Sequence, residues 1–243
     1  MRLFGEVAGL YDAARPGYPA SFADAILAFH GREPASVAEI GAGTGKGTAV
    51  LARLGGTLTC IEPDPRMAAP LIARFPSATV HTGTFEEWTP PPGGVDVLGC
   101  AMAWHWLDPA TRNERARDAL SAGGTLAIFG HRYGYADPAQ GAAIQAALND
   151  LDPTVQDRPV DWFHEDVLAA GLFTGVHKQV VNTPLPLDRT AYLDLTRTFG
   201  PFLRHSPELQ RRGLERLGRL IDDFGGTVTL DLRTTLVLGS RAG

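Results

Sequence analysis

A glycine-rich turn between a short apolar segment and a helical segment is the part of this sequence best suited to chemistry. Residues 36–40 read Ser-Val-Ala-Glu-Ile, which favours a buried strand, and an apolar run at residues 49–54 indicates a helix. Between them lie Gly41, Gly43 and Gly45. Glycine permits positive φ and lets a ligand approach the main chain, and the start of a helix offers unpaired N–H groups. This combination predicts a site for a nucleotide-like ligand.

An acidic residue after the next apolar run strengthens this interpretation. Residues 57–61 predict a second strand, and Glu62 follows it, about 20 residues after Gly41. In doubly wound α/β sheets an acidic side chain at this distance binds the hydroxyls of a ribose. Taken singly, such glycines are more often turn residues and such an acid is more often solvated. The pair at this spacing favours a nucleoside site.

The spacing of the glycines separates two classes of nucleoside ligand. The dinucleotide fingerprint G-x-G-x-x-G needs a third glycine at position 46 or 48, and these positions hold Lys46 and Thr48. The segment Glu39-Ile40-Gly41-Ala42-Gly43-Thr44-Gly45 instead resembles the first motif of the class I S-adenosylmethionine-dependent methyltransferases. The resemblance implies that the glycine turn lies beside the methionine part of that cofactor and that Glu62 binds its ribose.

The same resemblance implies a fold and a domain organisation. The expected fold is α/β: a Rossmann-like, doubly wound, seven-stranded sheet, mostly parallel with an antiparallel last strand, and with helical insertions that form a lid. We expect a single methyltransferase domain over residues 1–243. Its expected parts are a cofactor-capping segment at residues 1–30, a cofactor-binding core at 31–130, and substrate-lid insertions at 131–174 and 183–226.

The N-terminal segment adds two candidate residues. The stretch Tyr11-Asp12-Ala13-Ala14-Arg15-Pro16-Gly17-Tyr18-Pro19 resembles the lead-in of a broad, type 11-like subgroup of small-molecule methyltransferases. In that subgroup the tyrosine and the arginine close over the amino-acid end of the cofactor. Tyr11 and Arg15 are therefore candidates, and the guanidinium of Arg15 can hold a carboxylate in a bidentate pair. The alternative is a surface segment stiffened by its prolines.

The loops after the second and third predicted strands complete the candidate cofactor site. Pro63 and Met67 follow the ribose acid, where members of the family contact the adenine, although a methionine there is also ordinary helix packing. Thr84 and Phe85 match the family's adenine-edge turn, and the bulky Phe85 either stacks on the adenine or narrows the pocket. The full predicted set is Tyr11, Arg15, Glu39, Gly41, Ala42, Gly43, Gly45, Glu62, Pro63, Met67, Thr84, Phe85 and Ala101.

A Trp-His-Trp turn at residues 104–106 follows the apolar run 95–102, which predicts a central strand buried on both faces. Ligands of open α/β sheets bind outside the carboxyl ends of the strands, so we expect this turn to lie beside the glycine turn and face the reacting methyl group. His105 is the candidate catalytic base, and His131 is a second choice, with a pKa near neutrality. The alternative is that His105 packs and caps the next helix. The family subgroup has glutamine where this chain has Met102.

The predicted function is methyl transfer from S-adenosylmethionine, with S-adenosylhomocysteine as product, to an O-, N- or C-nucleophile of a small-molecule acceptor. Because the methyl group is already activated, the protein mainly has to align the nucleophile and exclude water. One alternative is a methyltransferase-like protein that uses the cofactor without methyl transfer. The other is a non-catalytic binding partner, which predicts an acceptor pocket filled by Trp104, Trp106 and Phe163.

Composition limits the remaining classes. The 243 residues, 44% of them hydrophobic, suffice for the core of one α/β domain. A net charge of −5 without basic runs argues against a nucleic-acid partner. Cys60 and Cys100 lie in apolar runs, which favours buried thiols in a reducing compartment and no metal site. No leader or bilayer-spanning stretch is evident, so we expect a cytoplasmic monomer or homodimer without a membrane partner.

Overall fold

The computed structural model describes residues 3–154 and 158–242, and residues 155–157 of the first predicted insertion lie outside the described residues, as do residues 1–2 and 243. Within the described residues, seven strands form one sheet in the order β3-β2-β1-β4-β5-β7-β6. The strands are β1 Ser36–Ile40, β2 Thr57–Ile61, β3 Thr79–His81, β4 Val95–Ala101, β5 Leu120–Tyr135, β6 Phe173–Asp188 and β7 Thr227–Arg241. The helices are α1 Ala8–Ala14, α2 Ser21–His30, α3 Thr48–Leu51, α4 Pro65–Arg74, α5 Arg112–Ala119, α6 Pro138–Leu151, α7 Trp162–Ala170, α8 Arg189–Thr196, α9 Gly200–Leu203 and α10 Pro207–Asp223.

The first half of the sheet is parallel and covered on both faces. β1 pairs in parallel with β2 and β4, β3 joins β2, and β5 joins β4. On one face α2 and α3 bury Phe22, Ile26 and Leu51, and on the other α5 and α7 bury Ala116 and Val167. Parallel strands with helices on both faces are apolar along their whole length, which explains the uninterrupted run of β4. The predicted doubly wound sheet and its central β4 are confirmed.

The second half of the sheet is antiparallel and longer than expected. β7 runs antiparallel to both β5 and β6, which confirms the predicted antiparallel last strand. Residues 131–135 and 183–188 belong to β5 and β6, so their assignment to the helical insertions was wrong. The reason is that both extensions pair with β7, far along the chain, and such pairing leaves no local pattern.

The helices of the two insertions form one layer on these extended strands. Ile144 of α6, Tyr192 of α8, and Leu217 and Ile221 of α10 share a buried cluster with Val228 of β7. Four helices start at residues whose side chains accept a main-chain N–H of the first turn, which is the preferred N-cap arrangement. These residues are Asp64 of α4, Asp137 of α6, Asp188 of α8 and Ser206 of α10. The two insertions therefore act as one structural unit.

The N-terminal segment crosses from α4 to the helical layer. Asp12 accepts a hydrogen bond of 2.5 Å from Arg74 Nη2 and lies 3.7 Å from Lys46 Nζ. At the other end of the segment, Arg15 Nε donates to Thr198 Oγ1 at 2.8 Å. The segment is thus held on both sides of the cavity described below and is more than a stiffened surface arm.

Candidate active site

A cavity of about 880 Å³ opens at the carboxyl ends of the parallel strands. We call the part lined by residues 40–86 the turn end and the part lined by residues 131–235 the helical end; residues 101–107 lie between them. Ligand pockets range over about 300–1,000 Å³. The cavity therefore has room for more than one small ligand.

The glycine turn has the main-chain conformation that its composition predicts. Gly41 and Gly43 have φ angles of 62° and 55°, in the left-handed region that favours glycine. A Cβ atom on Gly41 would lie 2.5 Å from Cβ of Ala103, closer than two carbon atoms can pack. The loop after β4 therefore lies directly against the glycine turn, as expected from the sequence.

Glu62 is held by two main-chain amides at the turn end. Its Oε2 accepts from Gly43 N and its Oε1 from Asp64 N, each at 2.9 Å, and the residue is only 7% exposed. Burial raises the pKa of this carboxyl, while the two amide donors favour its ionised form. Each oxygen keeps lone-pair capacity for a ligand hydroxyl. The carboxylate is thus fixed in orientation at the edge of the cavity.

The structure brings most of the predicted site residues to the cavity wall. The residues that line it are Tyr11, Arg15, Gly41, Gly43, Glu62, Pro63, Met67, Thr84, Phe85, Ala101 and His105. Phe85 is buried, and its ring stacks against Trp88 with centroids 6.2 Å apart. Thr84 is oriented by Glu87, whose Oε2 accepts from its N at 2.9 Å and from its Oγ1 at 3.0 Å. The loop after β3 therefore forms an ordered wall of the turn end.

Three predicted residues lie behind the turn instead of in the wall: Glu39, Ala42 and Gly45. Glu39 is fully buried, and its Oε2 accepts from Thr48 Oγ1 at 2.5 Å. Burial raises the pKa of the Glu39 carboxyl to about 8, so it is largely protonated at neutral pH. Ala42 packs in a cluster with Leu71, and a Cβ on Gly45 would lie 3.0 Å from that same leucine. These residues support the turn from its inner side.

The two candidate bases, His105 and His131, are only weakly basic in the folded chain. The ring of His105 packs on Trp106 with centroids 4.5 Å apart, and burial together with Arg158, Arg112 and Arg15 lowers its pKa to about 4. His131 binds Thr234 Oγ1 through Nδ1 at 2.9 Å, and burial likewise lowers its pKa to about 4. The expected pKa near neutrality was wrong for both histidines. The cause is burial together with nearby arginines, of which Arg15 and Arg158 are far from His105 in the chain, so the local sequence does not show it.

The tryptophans after β4 leave the cavity open. Trp104 is 1% exposed, and its Nε1 donates to Asp166 Oδ2 at 2.8 Å, so its indole belongs to the core. Trp106 is 43% exposed and only lines the wall. A pocket filled by these rings and Phe163, which was the prediction for a non-catalytic binding partner, is not what the structure has.

Sequence reasoning missed two charged residues of the helical end. Asp161, whose φ is 60°, accepts from Lys178 Nζ and Arg233 Nη2 at 2.8 Å each. Arg158 lies with its guanidinium carbon 5.1 Å from the ring centroid of Trp162. No motif marks these positions, and the aromatic pair at residues 162–163 was the local signal that could have directed attention to them.

Arg15 is held by residues of the helical end of the cavity. Its Nη2 donates to Thr198 O at 2.9 Å and its Nη1 to Tyr133 OH at 3.3 Å. The ring of Phe199 lies 4.3 Å from its guanidinium carbon.

In residues 3–154 and 158–242, no group of three or more His, Cys, Asp or Glu side chains is placed to hold a metal ion, and no helix has the length and hydropathy to cross a bilayer.

The order of the sheet, the acid-bound glycine turn and the cavity at the strand ends define a Rossmann-like, nucleoside-binding class of protein. Residues 37–124 match a family model described as a methyltransferase domain. An uncharacterized methyltransferase of Mycobacterium tuberculosis is 36% identical over 125 residues, covering 51% of this chain and 50% of that protein. Trans-aconitate 2-methyltransferase of Afipia carboxidovorans is 31% identical over 99 residues, covering 40% and 38% of the two chains.

Solved structures agree at the level of the fold. A protein of Anaeromyxobacter dehalogenans described as a type II methyltransferase has a TM-score of 0.62 at 20% identity, covering 94% of this chain and 97% of that one. Phosphoethanolamine N-methyltransferase 2 of Haemonchus contortus, solved with S-adenosylhomocysteine, has a TM-score of 0.57 at 12% identity. The match covers 100% of this chain and 58% of that one. The matched segments span between 38% and 60% of the length of the curated relatives. Residues 37–124 thus match a methyltransferase domain, which confirms the resemblance of the first motif to the class I S-adenosylmethionine-dependent methyltransferases.

Proposed function

We propose that this chain transfers the methyl group of S-adenosylmethionine to a small-molecule acceptor held in the helical end of the cavity. The observation that carries the proposal is the Glu62 carboxylate, fixed by Gly43 N and Asp64 N beside an open cavity. The family uses this cofactor. One of the similar proteins is named for a small-molecule acceptor, trans-aconitate.

The residues of the turn end fit the cofactor. Gly41 and Gly43 leave a cradle without Cβ atoms, which suits close approach of a ligand to the main chain. In the proposal Glu62 holds the ribose hydroxyls, while Met67 and Phe85 provide apolar walls for the adenine. The remaining members of the predicted set keep the roles assigned by resemblance, and Glu39, Ala42 and Gly45 act from behind the turn.

The cofactor supplies an activated methyl group when it is bound. The chain itself has to orient the acceptor and exclude water. The wall between the two ends, formed by Ala101, Met102, Ala103 and the Trp-His-Trp turn, is placed to do both, because it lies against Gly41 and faces the helical end. A small acceptor is favoured because the helical layer covers the cavity beyond this wall.

Calorimetric titration with S-adenosylmethionine tests the proposal. We expect low-micromolar affinity for the unmodified chain and a loss of about 100-fold in Glu62→Ala, because two charge-assisted hydrogen bonds to the ribose disappear. Glu114→Gln, an exposed change on α5, serves as the matched control and should bind normally. Unchanged affinity in Glu62→Ala would contradict the site. Methyl-labelled cofactor then shows whether label moves to a small molecule.

A further inference from the structure

The helical end of the cavity carries more positive than negative side chains. Its lining includes Arg158, Arg204 and Arg233, against Asp152 and Asp161. Both aspartates have partners within the protein: Asp161 binds Lys178 and Arg233, and Asp152 accepts from Thr154 and lies 3.7 Å from His205 Nε2. The acids of the wall therefore leave a surplus of cationic charge at this end.

Arg158 is the cation of this group with the most specific surroundings. Arg158 is an exposed residue of the cavity lining, and its guanidinium carbon lies 5.1 Å from the ring centroid of Trp162. Arg112 lies 5.3 Å from the same ring and is paired with Asp166. Burial and Arg112 lower the pKa of Arg158, and within the described residues no carboxylate pairs with it. An always-charged guanidinium is thus held on an indole with its hydrogen-bond donors available to an anion.

The charge of Arg158 reaches the position where the acceptor must react. After burial, Arg158 is the largest cause of the lowered pKa of His105, ahead of Arg112 and Arg15. His105 lies in the loop after β4, which packs against the glycine turn. A negative group at this point would be stabilised, and a positive group would be repelled.

The side chains near this point also distinguish the possible nucleophiles. A hydroxyl acceptor needs a base, and His105 and His131, each with a pKa of about 4, are poor ones at neutral pH. His205 also lines the cavity, in the loop after α9, and its Nε2 lies 3.7 Å from Asp152 Oδ2. An amine acceptor is protonated at neutral pH and carries the charge that the site repels. A carboxylate is already ionised and needs no base.

We propose that the acceptor is a small-molecule carboxylate, held by Arg158 and methylated on a carboxylate oxygen. This inference rests on the function proposed above. The carboxylate oxygen forms a bond to the methyl carbon while the carbon–sulfur bond breaks and its electron pair stays on sulfur. The products are a methyl ester and S-adenosylhomocysteine, and no proton has to be removed. Trp106, Phe199 and Phe202 line the same cavity and suit an apolar body on the acid.

The test uses three probes of similar shape: phenylacetate, phenylacetamide and phenethylammonium. Each is titrated by ligand-observed NMR into the chain saturated with S-adenosylhomocysteine. We expect the carboxylate to bind at least about tenfold more tightly than the amide, and the ammonium most weakly. Arg158→Gln should remove this preference without changing the affinity for the amide. Arg53→Gln makes the same change of charge at an exposed position outside the cavity and should leave the preference for the carboxylate unchanged.

A second readout follows the titration of His105 with isotope-labelled histidine. Bound phenylacetate should raise the pKa of His105 because its charge offsets that of Arg158, and phenylacetamide should leave it unchanged. Label transferred from methyl-labelled S-adenosylmethionine to a small-molecule extract should be released by mild alkali, as expected for an ester. Label that resists alkali overturns the proposal, as does an acid that binds no better than its amide or a preference that survives in Arg158→Gln.

The two proposals fail in different ways. If the chain does not bind S-adenosylhomocysteine or S-adenosylmethionine, the proposed function itself is wrong. If the chain binds the cofactor and shows no preference for the carboxylate, only the acceptor class is wrong.

Discussion

The two ends of the cavity are built in different ways. The turn end comes from residues 40–86, a short continuous part of the chain, and its glycine turn places main-chain groups beside the Glu62 carboxylate. The helical end consists of residues from β5, α6, α7, α8, α9 and β7, which meet only after folding. The comparison shows that a site made from one strand–turn–helix unit can be recognised locally, whereas a site assembled from separate elements depends on packing.

Gly41→Val gives the largest expected effect on the turn end. The new side chain combines an unfavourable positive φ with overlap on Ala103, so we expect a loss of about 2–4 kcal/mol in unfolding free energy and no measurable cofactor binding. Urea unfolding and calorimetry measure the two quantities. Gly93→Val is the matched control, because Gly93 has a φ of 87° and no atom within 4 Å of its Cβ position. Normal cofactor affinity in Gly41→Val would contradict the role of the turn.

Glu39→Gln tests the carboxyl behind the turn. Its pKa is raised from 4.5 to about 8 in the folded chain, so the folded state keeps a proton that the unfolded state releases. Stability should therefore fall as pH rises from about 5 to 8, and the glutamine variant should lose this dependence. We expect the variant to be more stable than the unmodified chain by about 4 kcal/mol at pH 8 and by about 1 kcal/mol or less at pH 5. Equal pH dependence of urea unfolding for both proteins would show that Glu39 is ionised.

Arg15→Lys examines the arginine that the N-terminal segment contributes to the cavity wall. We expect about a tenfold loss of affinity for S-adenosylmethionine, because an ammonium cannot replace a planar, bidentate guanidinium. Thr198→Val removes one internal partner of Arg15 and keeps the guanidinium, so it should change the affinity by less than about threefold. If both variants weaken binding equally, Arg15 acts by anchoring the N-terminal segment and not by contact with the cofactor.

His105→Asn has the smallest expected effect. With a pKa of about 4, the imidazole is neutral across the working range, so its removal should change the rate of label transfer by less than about threefold between pH 6 and 9. The pH–rate profile should keep its shape. A fall of about 100-fold in the rate, or the loss of one limb of the pH–rate profile near neutral pH, would show that His105 acts as a general base. That result would argue for a hydroxyl acceptor.

The turn end could be predicted from the sequence because its physical requirements are local. Left-handed φ angles need glycine at positions 41 and 43, and the length of one helix and one strand fixes where Glu62 must lie. The burial of β4 on both faces could likewise be read from its apolar run. These features led to the family before any contact was known.

The helical end could not be predicted in the same way. The extension of β5 and β6 depends on pairing with β7. The weak basicity of His105 depends on its burial and on Arg158, Arg112 and Arg15, none of them adjacent to it in the sequence. Arg158 and Asp161 match no motif, because a charged residue acquires its role there from what packs against it.

The sequence by itself determined the parallel half of the sheet, the glycine turn, the acid beside it and the resemblance to methyltransferases. The tertiary structure alone decided which predicted residues face the cavity, where the cationic surplus lies and how basic the histidines are. The physical reason is that backbone conformation and strand order follow from nearby residues. Desolvation and charge–charge interaction depend instead on distances in space, which folding sets between residues far apart in the chain.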